Sequence, residues 1–125
     1  MKYICKSCSR TYEANPSTVK CDCGSALWLD FEGRMTKDDI IQNDFTMWRY
    51  SKAYPVRRED VKVTYGEGLT PLANIVFNGQ TIQVKQDHLM PTGSFKDRGV
   101  AMVTNFLAGF GVNKFAEDSS GNGGS

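Results

Sequence analysis

The sequence predicts an α/β fold preceded by a small cysteine-rich module, and three observations support that prediction. All four cysteines lie within the first 23 residues. Apolar and polar residues alternate over 81–85, as they do in a half-buried strand. Apolar residues then recur at helical spacing from Gly99 to Ala108. We therefore divide the chain into a module at 1–30, a connector at 31–60 and an α/β part at 61–125.

The composition narrows the class of partner. Fifteen basic and fourteen acidic side chains give a formal charge of +1 over 125 residues. Such a balance gives no electrostatic basis for binding nucleic acid or a membrane surface, so neither partner is expected. The first ten residues contain no long apolar run, which predicts neither a signal peptide nor a membrane span. We expect a cytoplasmic protein, in a reducing setting where cysteines bind metal more often than they pair.

The cysteines form two close pairs, Cys5 with Cys8 and Cys21 with Cys23. Two tight turns that face each other can supply the four thiolates of a tetrahedral zinc site, and Gly24 gives the second turn backbone freedom. Two disulfides or four free thiols are the alternatives. Zinc is favoured because so short a segment has almost no apolar core and needs another source of stability.

The connector contains a helix-start signal and a group of aromatic residues. Thr36 with Asp39 three residues later predicts the start of a short helix. Trp48, Tyr50 and Tyr54 follow, and they can be read as a stacking platform for single-stranded nucleic acid or as packing residues. The packing interpretation is favoured because the sequence shows no wider basic bias.

Two strand patterns follow the connector. Residues 61–65 alternate between apolar and polar, which predicts a strand, and the glycines at 66 and 68 predict a turn after it. Further along, two alternating runs flank Asn78-Gly79, which predicts a hairpin with a type I′ turn.

A lysine stands where the next helix is predicted to begin. Ser94 and Asp97 have the spacing of a capping box, which places Lys96 in the first helical turn. The positive potential of a helix N-terminus disfavours an ammonium ion, and a neutral amine can form a Schiff base with an aldehyde. Spacing alone, however, favours an ordinary solvated lysine.

The residues around this lysine also carry a family resemblance. Residues 91–99, PTGSFKDRG, resemble the cofactor-lysine segment of fold-type II pyridoxal-phosphate enzymes, above all the threonine synthases. The GEG-x-TPL pattern at 66–72 resembles the same family. The resemblance implies an incomplete fold-type II fold, a three-layer α/β structure with a mostly parallel sheet. It also implies that Lys96 holds pyridoxal 5'-phosphate and that Phe95 packs beside the ring or against the helix.

The last residues allow two interpretations. A Gly/Ser run at 118–125 after a predicted strand at 114–117 can be a floppy tail, or a loop whose N–H groups bind an anion. It resembles the SSGN loop of the same enzymes, which implies that Asn122 hydrogen-bonds the phenolic oxygen of the cofactor. By the same resemblance, four residues bind the substrate carboxylate: Ser119, Ser120, Gly121 and Gly123.

For the whole protein, the resemblance implies the conversion of O-phospho-L-homoserine and water to L-threonine and phosphate. The partner is then a small amino-acid substrate, and we expect a homo-oligomer, a dimer. We expect the chain to be the N-terminal piece of a longer enzyme and to be inactive alone. The alternatives are a sister enzyme of the same fold, such as a serine/threonine dehydratase, a diaminopropionate ammonia-lyase or a cysteate synthase, and a non-catalytic zinc-ribbon binding module.

Overall fold

The computed structural model describes residues 1–119 and Gly121, and it begins with a three-stranded antiparallel sheet. The strands are β1 (Lys2–Ile4), β2 (Thr11–Glu13) and β3 (Trp28–Asp30), in the order β2-β1-β3. Tyr3 in the central strand lies opposite Tyr12 on one side and Leu29 on the other. The three strands and their turns form the cysteine-rich module.

The connector contains three 3-10 turns, Lys37–Asp39, Met47–Ala53 and Arg58–Asp60. The first begins as predicted, since the Asp39 carboxylate accepts hydrogen bonds from the backbone N–H and hydroxyl of Thr36 at 2.7 and 3.0 Å. The second carries Trp48, which is fully buried.

The main apolar core forms around this second turn. The Tyr54 ring meets the Trp48 ring edge-on, with the centroids 6.2 Å apart, so the packing interpretation is confirmed for these two aromatic residues. The buried members of the core are Met47, Trp48 and Val56, and its half-buried members are Tyr54, Val61, Ala101, Met102 and Phe106.

The strand predicted at 61–65 is wrong, because a side chain pairs with this backbone where a neighbouring strand would. The N–H groups of Lys62 and Val63 donate to Oδ1 of Asn105, at 2.7 and 3.0 Å. The Nδ2 of Asn105 donates to the carbonyl of Val63 at 2.7 Å. A buried asparagine of the later helix therefore takes up hydrogen-bonding groups that an extended segment must satisfy somewhere.

The predicted hairpin is confirmed. Strands β4 (Leu72–Phe77) and β5 (Gln80–Lys85) pair antiparallel, with Phe77 opposite Gln80. The two turn residues have positive φ, 49° at Asn78 and 74° at Gly79, as a type I′ turn requires.

The single α-helix among the described residues, α1, spans Asp97–Gly109 and ends near Gly111, whose φ is 83°. Its predicted capping box is wrong, because the Asp97 carboxylate accepts instead from the backbone N–H and hydroxyl of Thr92. Lys96 is consequently the residue directly before the helix, and not a member of its first turn as predicted. The strand predicted at 114–117 is also wrong, since no described segment lies beside it to complete a ladder.

The fold is thus mixed α/β, as predicted. Both sheets are antiparallel, and the expected mostly parallel sheet is not found in the part of the chain that the structure describes. Within the same residues, no helix has the length and apolar character needed to cross a bilayer.

Candidate functional site

Four thiols converge at the end of the β1–β3 sheet. Cys5 directly follows β1, Cys8 lies in the turn that leads to β2, and Cys21 and Cys23 precede β3. All four sulfur atoms lie within 4.8 Å of one another. The sulfurs of Cys5 and Cys23 are 3.6 Å apart and those of Cys8 and Cys21 are 3.4 Å apart. The predicted ligand set is therefore brought together and can hold a metal ion.

Backbone hydrogen bonds shape both cysteine turns. In the first turn, Ser9 N–H donates to the Cys5 carbonyl at 2.8 Å. In the second, Gly24 N–H donates to the Cys21 carbonyl at 2.8 Å, and Gly24 has a φ of 85°. A side chain at this φ is strained, so the glycine has the role that its position in the sequence predicts.

Two of the thiols are surrounded by hydrogen-bond donors. The Tyr12 hydroxyl, 3.2 Å from the sulfur, lowers the pKa of Cys21. Hydrogen bonds from Ser25 lower the pKa of Cys23 to about 6. Since a metal binds the thiolate and not the thiol, these contacts favour the ligating form.

Lys96 lies at the beginning of α1, beside an open groove of about 930 Å³. Its backbone is fixed on both sides, since its N–H donates to the hydroxyl of buried Ser94 at 3.2 Å and its carbonyl accepts from Val100 N–H at 2.9 Å. The Lys96 side chain is exposed, and so is Phe95 next to it. Lys114 lines the same groove.

Two residues after Lys96, Arg98 belongs to an ion-pair cluster that the sequence did not predict. Two terminal nitrogens of Arg98 donate to the two carboxylate oxygens of Asp87, each at 2.9 Å. The Thr70 hydroxyl donates to the same carboxylate at 2.6 Å. The hydrogen bonds from Arg98 and Thr70 hold the pKa of Asp87 well below its usual range. Asp87 and Arg98 stand eleven residues apart across a loop, and no local sequence pattern announces such a pair.

A second carboxylate, that of Glu67, belongs to the loop that precedes β4 and is fully buried. It accepts from Trp48 Nε1 at 2.7 Å, from Tyr65 N–H at 2.8 Å and from the Thr64 hydroxyl at 3.0 Å. These contacts join the loop to the connector core. They explain why a glutamate between two glycines is needed at this place, which the sequence motif alone left without a role.

The other predicted site residues are not joined to Lys96. The Ser119 hydroxyl donates to the carbonyl of Gly121 at 3.0 Å, and no hydrogen bond among the described residues connects this pair to Lys96. His88, the one histidine in the sequence, is exposed in a short 3-10 turn, Asp87–Leu89. Three predicted residues lie outside the described part of the chain: Ser120, Asn122 and Gly123.

Comparison with curated proteins supports the resemblance drawn from the motifs. A threonine synthase of Methanocaldococcus jannaschii is 30% identical over 128 aligned positions, which cover 94% of this chain and 32% of that protein. By sequence, the chain resembles the threonine synthases. A second threonine synthase, from Methanosarcina acetivorans, is 32% identical over 127 positions, which cover 94% of this chain and 31% of the relative.

This threonine synthase-like chain therefore spans about a third of the length of the curated relatives that it matches. No protein-family model matches it, and no solved structure matches its fold significantly.

Proposed function

We propose that this chain supplies the cofactor lysine and a metal-binding ribbon to a pyridoxal-phosphate-dependent lyase of the threonine synthase type. The reaction is that of O-phospho-L-homoserine and water to L-threonine and phosphate. The observation that carries the proposal is the similarity of 94% of the chain to two threonine synthases. We further propose that the protein acts in the cytoplasm as a dimer.

The surroundings of Lys96 fit an aldehyde cofactor. The groove beside Lys96 is open, and its walls include the exposed rings of Phe95 and Phe115, which offer apolar surface to a planar ring. No hydrogen bond among the described residues occupies Nζ of Lys96, whereas Nζ of Lys85 donates to Thr70 and Nζ of Lys62 donates to Ala108. The amine is thus available for a covalent bond.

Each residue near the cofactor has a separate proposed role. Nζ of Lys96 would hold the cofactor aldehyde, and it would accept and return protons at the α and β carbons of the substrate. When bound, pyridoxal phosphate supplies the electron sink for the charge that develops there. Phe95 packs beside the ring.

Residues near the end of the sequence complete the proposed site. Asn122 hydrogen-bonds the phenolic oxygen of the cofactor. The substrate carboxylate is bound by Ser119, Ser120, Gly121 and Gly123.

We assign the metal of the ribbon as zinc, with a structural role. Tetrahedral zinc with Zn–S bonds of about 2.3 Å separates its ligand sulfurs by about 3.8 Å. The sulfur pairs at 3.4 and 3.6 Å, within a cluster no wider than 4.8 Å, are compatible with that geometry. A site with four thiolates has no open position for substrate, which is the pattern of structural zinc.

The test of the proposed reaction uses the protein expressed from its own gene and supplied with pyridoxal phosphate and O-phospho-L-homoserine. We expect equal amounts of phosphate and threonine, and no threonine from a Lys96→Arg variant. Lys114→Arg is the matched control, because Lys114 lines the same groove and should be dispensable. Formation of a 2-oxo acid from serine, threonine or diaminopropionate, without release of phosphate, would identify a sister enzyme instead. No turnover of any of these would contradict the proposal.

A further inference from the structure

Two pairs of side chains close loops around Lys96. In the inner loop, the backbone N–H and hydroxyl of Thr92 donate to the Asp97 carboxylate. In the outer loop, the guanidinium of Arg98 donates two hydrogen bonds to Asp87. Lys96 lies inside both loops, so its backbone is restrained by contacts that its own side chain does not make.

The outer pair is tied to the hairpin as well as to the helix. Thr70, which is buried, donates its hydroxyl to Asp87, and its carbonyl accepts from Nζ of Lys85 at 3.0 Å. Next to it, Gln86 N–H donates to the Pro71 carbonyl at 2.9 Å. Asp87 is therefore fixed to the base of β4 and β5, and through Asp87 the hairpin holds the first turn of α1.

The geometry of a helix relates the orientation of Arg98 to that of the Lys96 amine. Successive residues are turned by about 100°, so Arg98 and Lys96 leave the axis about 200° apart. A guanidinium held by two parallel hydrogen bonds has a defined orientation, and that fixes the rotation of the first turn about the helix axis. An unpaired Arg98 would also place a cation where the helix dipole is already positive.

We propose that Asp87 is a positioning residue for Lys96, which acts through Arg98 by fixing the first turn of α1 against the hairpin. The inference rests on the proposed function in one respect only, namely that the amine it positions is the one that binds the cofactor. Asp87 itself touches neither substrate nor cofactor in this scheme.

The test compares Asp87→Asn with Asp39→Asn. Asp39 is a matched control, because its carboxylate also pairs with a cation, Lys52, and also accepts from a threonine hydroxyl, that of Thr36. Without cofactor, Asp87→Asn should speed hydrogen exchange of the backbone amides of residues 95–100 about tenfold, because a charge-assisted pair is lost. Asp39→Asn should leave those amides unchanged. Unchanged exchange in Asp87→Asn would overturn the proposal.

A second readout reports on the amine. The protein is treated with pyridoxal phosphate, reduced with borohydride, and digested, and the label on Lys96 is compared with the label on Lys114. Asp87→Asn should lower the ratio of the two about tenfold, and Asp39→Asn should not change it. In an Arg98→Gln background, Asp87→Asn should have no further effect, because the two residues act as one unit. An unchanged ratio, or additive effects, would contradict the role of Asp87.

The two readouts separate the failure of this proposal from that of the proposed function. Equal labelling of Lys96 and Lys114 in the unmodified protein would contradict the proposed function, and the exchange data alone would then decide whether Asp87 fixes this turn. Tryptophan fluorescence, to which buried Trp48 and exposed Trp28 both contribute, shows whether each variant is folded. If Asp87→Asn is unfolded, Thr70→Val replaces it in the test, because it exchanges only one hydroxyl for a methyl group. It should speed exchange of the amides of residues 95–100 about threefold and lower the labelling ratio of Lys96 to Lys114 about threefold.

Discussion

The cysteine-rich ribbon, which is the module at residues 1–30, and the region at residues 31–119 are stabilised by different means. The latter, which contains Lys96, is called the second region below. In residues 1–30 the buried side chains are few, Cys5, Ala14 and Cys21, and two of these three are candidate metal ligands. The second region has an apolar core around Trp48, which is joined to the next loop by the buried carboxylate of Glu67. A metal can replace a core in a unit of about thirty residues, because such a unit buries too little apolar surface to fold otherwise.

The second region buries its apolar residues incompletely. Val76 and Phe77 of the hairpin are 75% and 64% exposed, and Val103 of α1 is 57% exposed. A two-stranded hairpin is marginally stable by itself in water. The comparison therefore indicates that the ribbon depends on its four sulfurs, whereas the lysine-bearing region depends on the connector core and on the contacts around α1.

Removal of the metal should have the largest effect. Cys21→Ser or a strong chelator should unfold the ribbon, since structural zinc contributes on the order of 10–16 kcal/mol in small zinc domains. Amide exchange should show loss of protection in β1–β3 while α1 stays protected. Ser7→Ala, between two of the ligands, is the control and should change neither. A ribbon that keeps its protection without metal would contradict the difference between the two regions.

Truncation of a side chain in the connector core should destabilise the second region and leave the ribbon unchanged. Trp48→Ala removes a fully buried ring and its hydrogen bond to Glu67, and should lower the free energy of unfolding of the second region by about 3–5 kcal/mol. Denaturant unfolding, followed by the amides of α1, measures this loss. The ribbon amides should be unaffected, and equal loss in both regions would show that they unfold as one unit.

Acidification should act on the second region through its paired carboxylates. The Lys52 ammonium lowers the pKa of Asp39 from 3.8 to about 2. A carboxyl whose pKa is depressed by folding contributes stability that is present above its unfolded value and is lost as the pH falls through the folded one. Melting temperatures should therefore fall between about pH 4 and pH 2, and Asp39→Asn should flatten that slope. An identical slope in Asp39→Asn would show that this pair contributes nothing.

Substitution on the exposed face of the hairpin should have the smallest effect. Phe77→Thr changes a ring that is 64% exposed, and should alter the free energy of unfolding by no more than about 0.5 kcal/mol. Thermal melting of the two proteins side by side is sufficient. A larger loss would show that this face is covered in solution.

Local patterns accounted for the elements that the sequence predicted correctly. The two cysteine turns, the Asn78-Gly79 turn and most of α1 depend on residues that are near one another in the chain. The segment 61–65 was predicted as a strand because its alternation is real, but its backbone partner is the side chain of Asn105, some forty residues away. Periodicity within a window cannot reveal that partner.

In the candidate site too, features that depend on local sequence were predicted, and features that depend on distant contacts were not. Lys96 and the four thiols were found from local motifs. The pair of Asp87 and Arg98 was missed because it forms across a loop, and the capping box was wrong because Thr92 competes for the Asp97 carboxylate. Local sequence therefore predicted the candidate site residues, whereas the contacts that orient them required the fold.

The most direct test of the central claim is to find which lysine reacts with pyridoxal phosphate. The protein expressed from its own gene is loaded with the cofactor, reduced and mapped by mass spectrometry. We expect the label on Lys96, no specific label in Lys96→Arg, and an unchanged label in Lys114→Arg. A label that persists on another lysine when Lys96 is replaced, with turnover intact, would contradict the assignment of Lys96 and the function built on it.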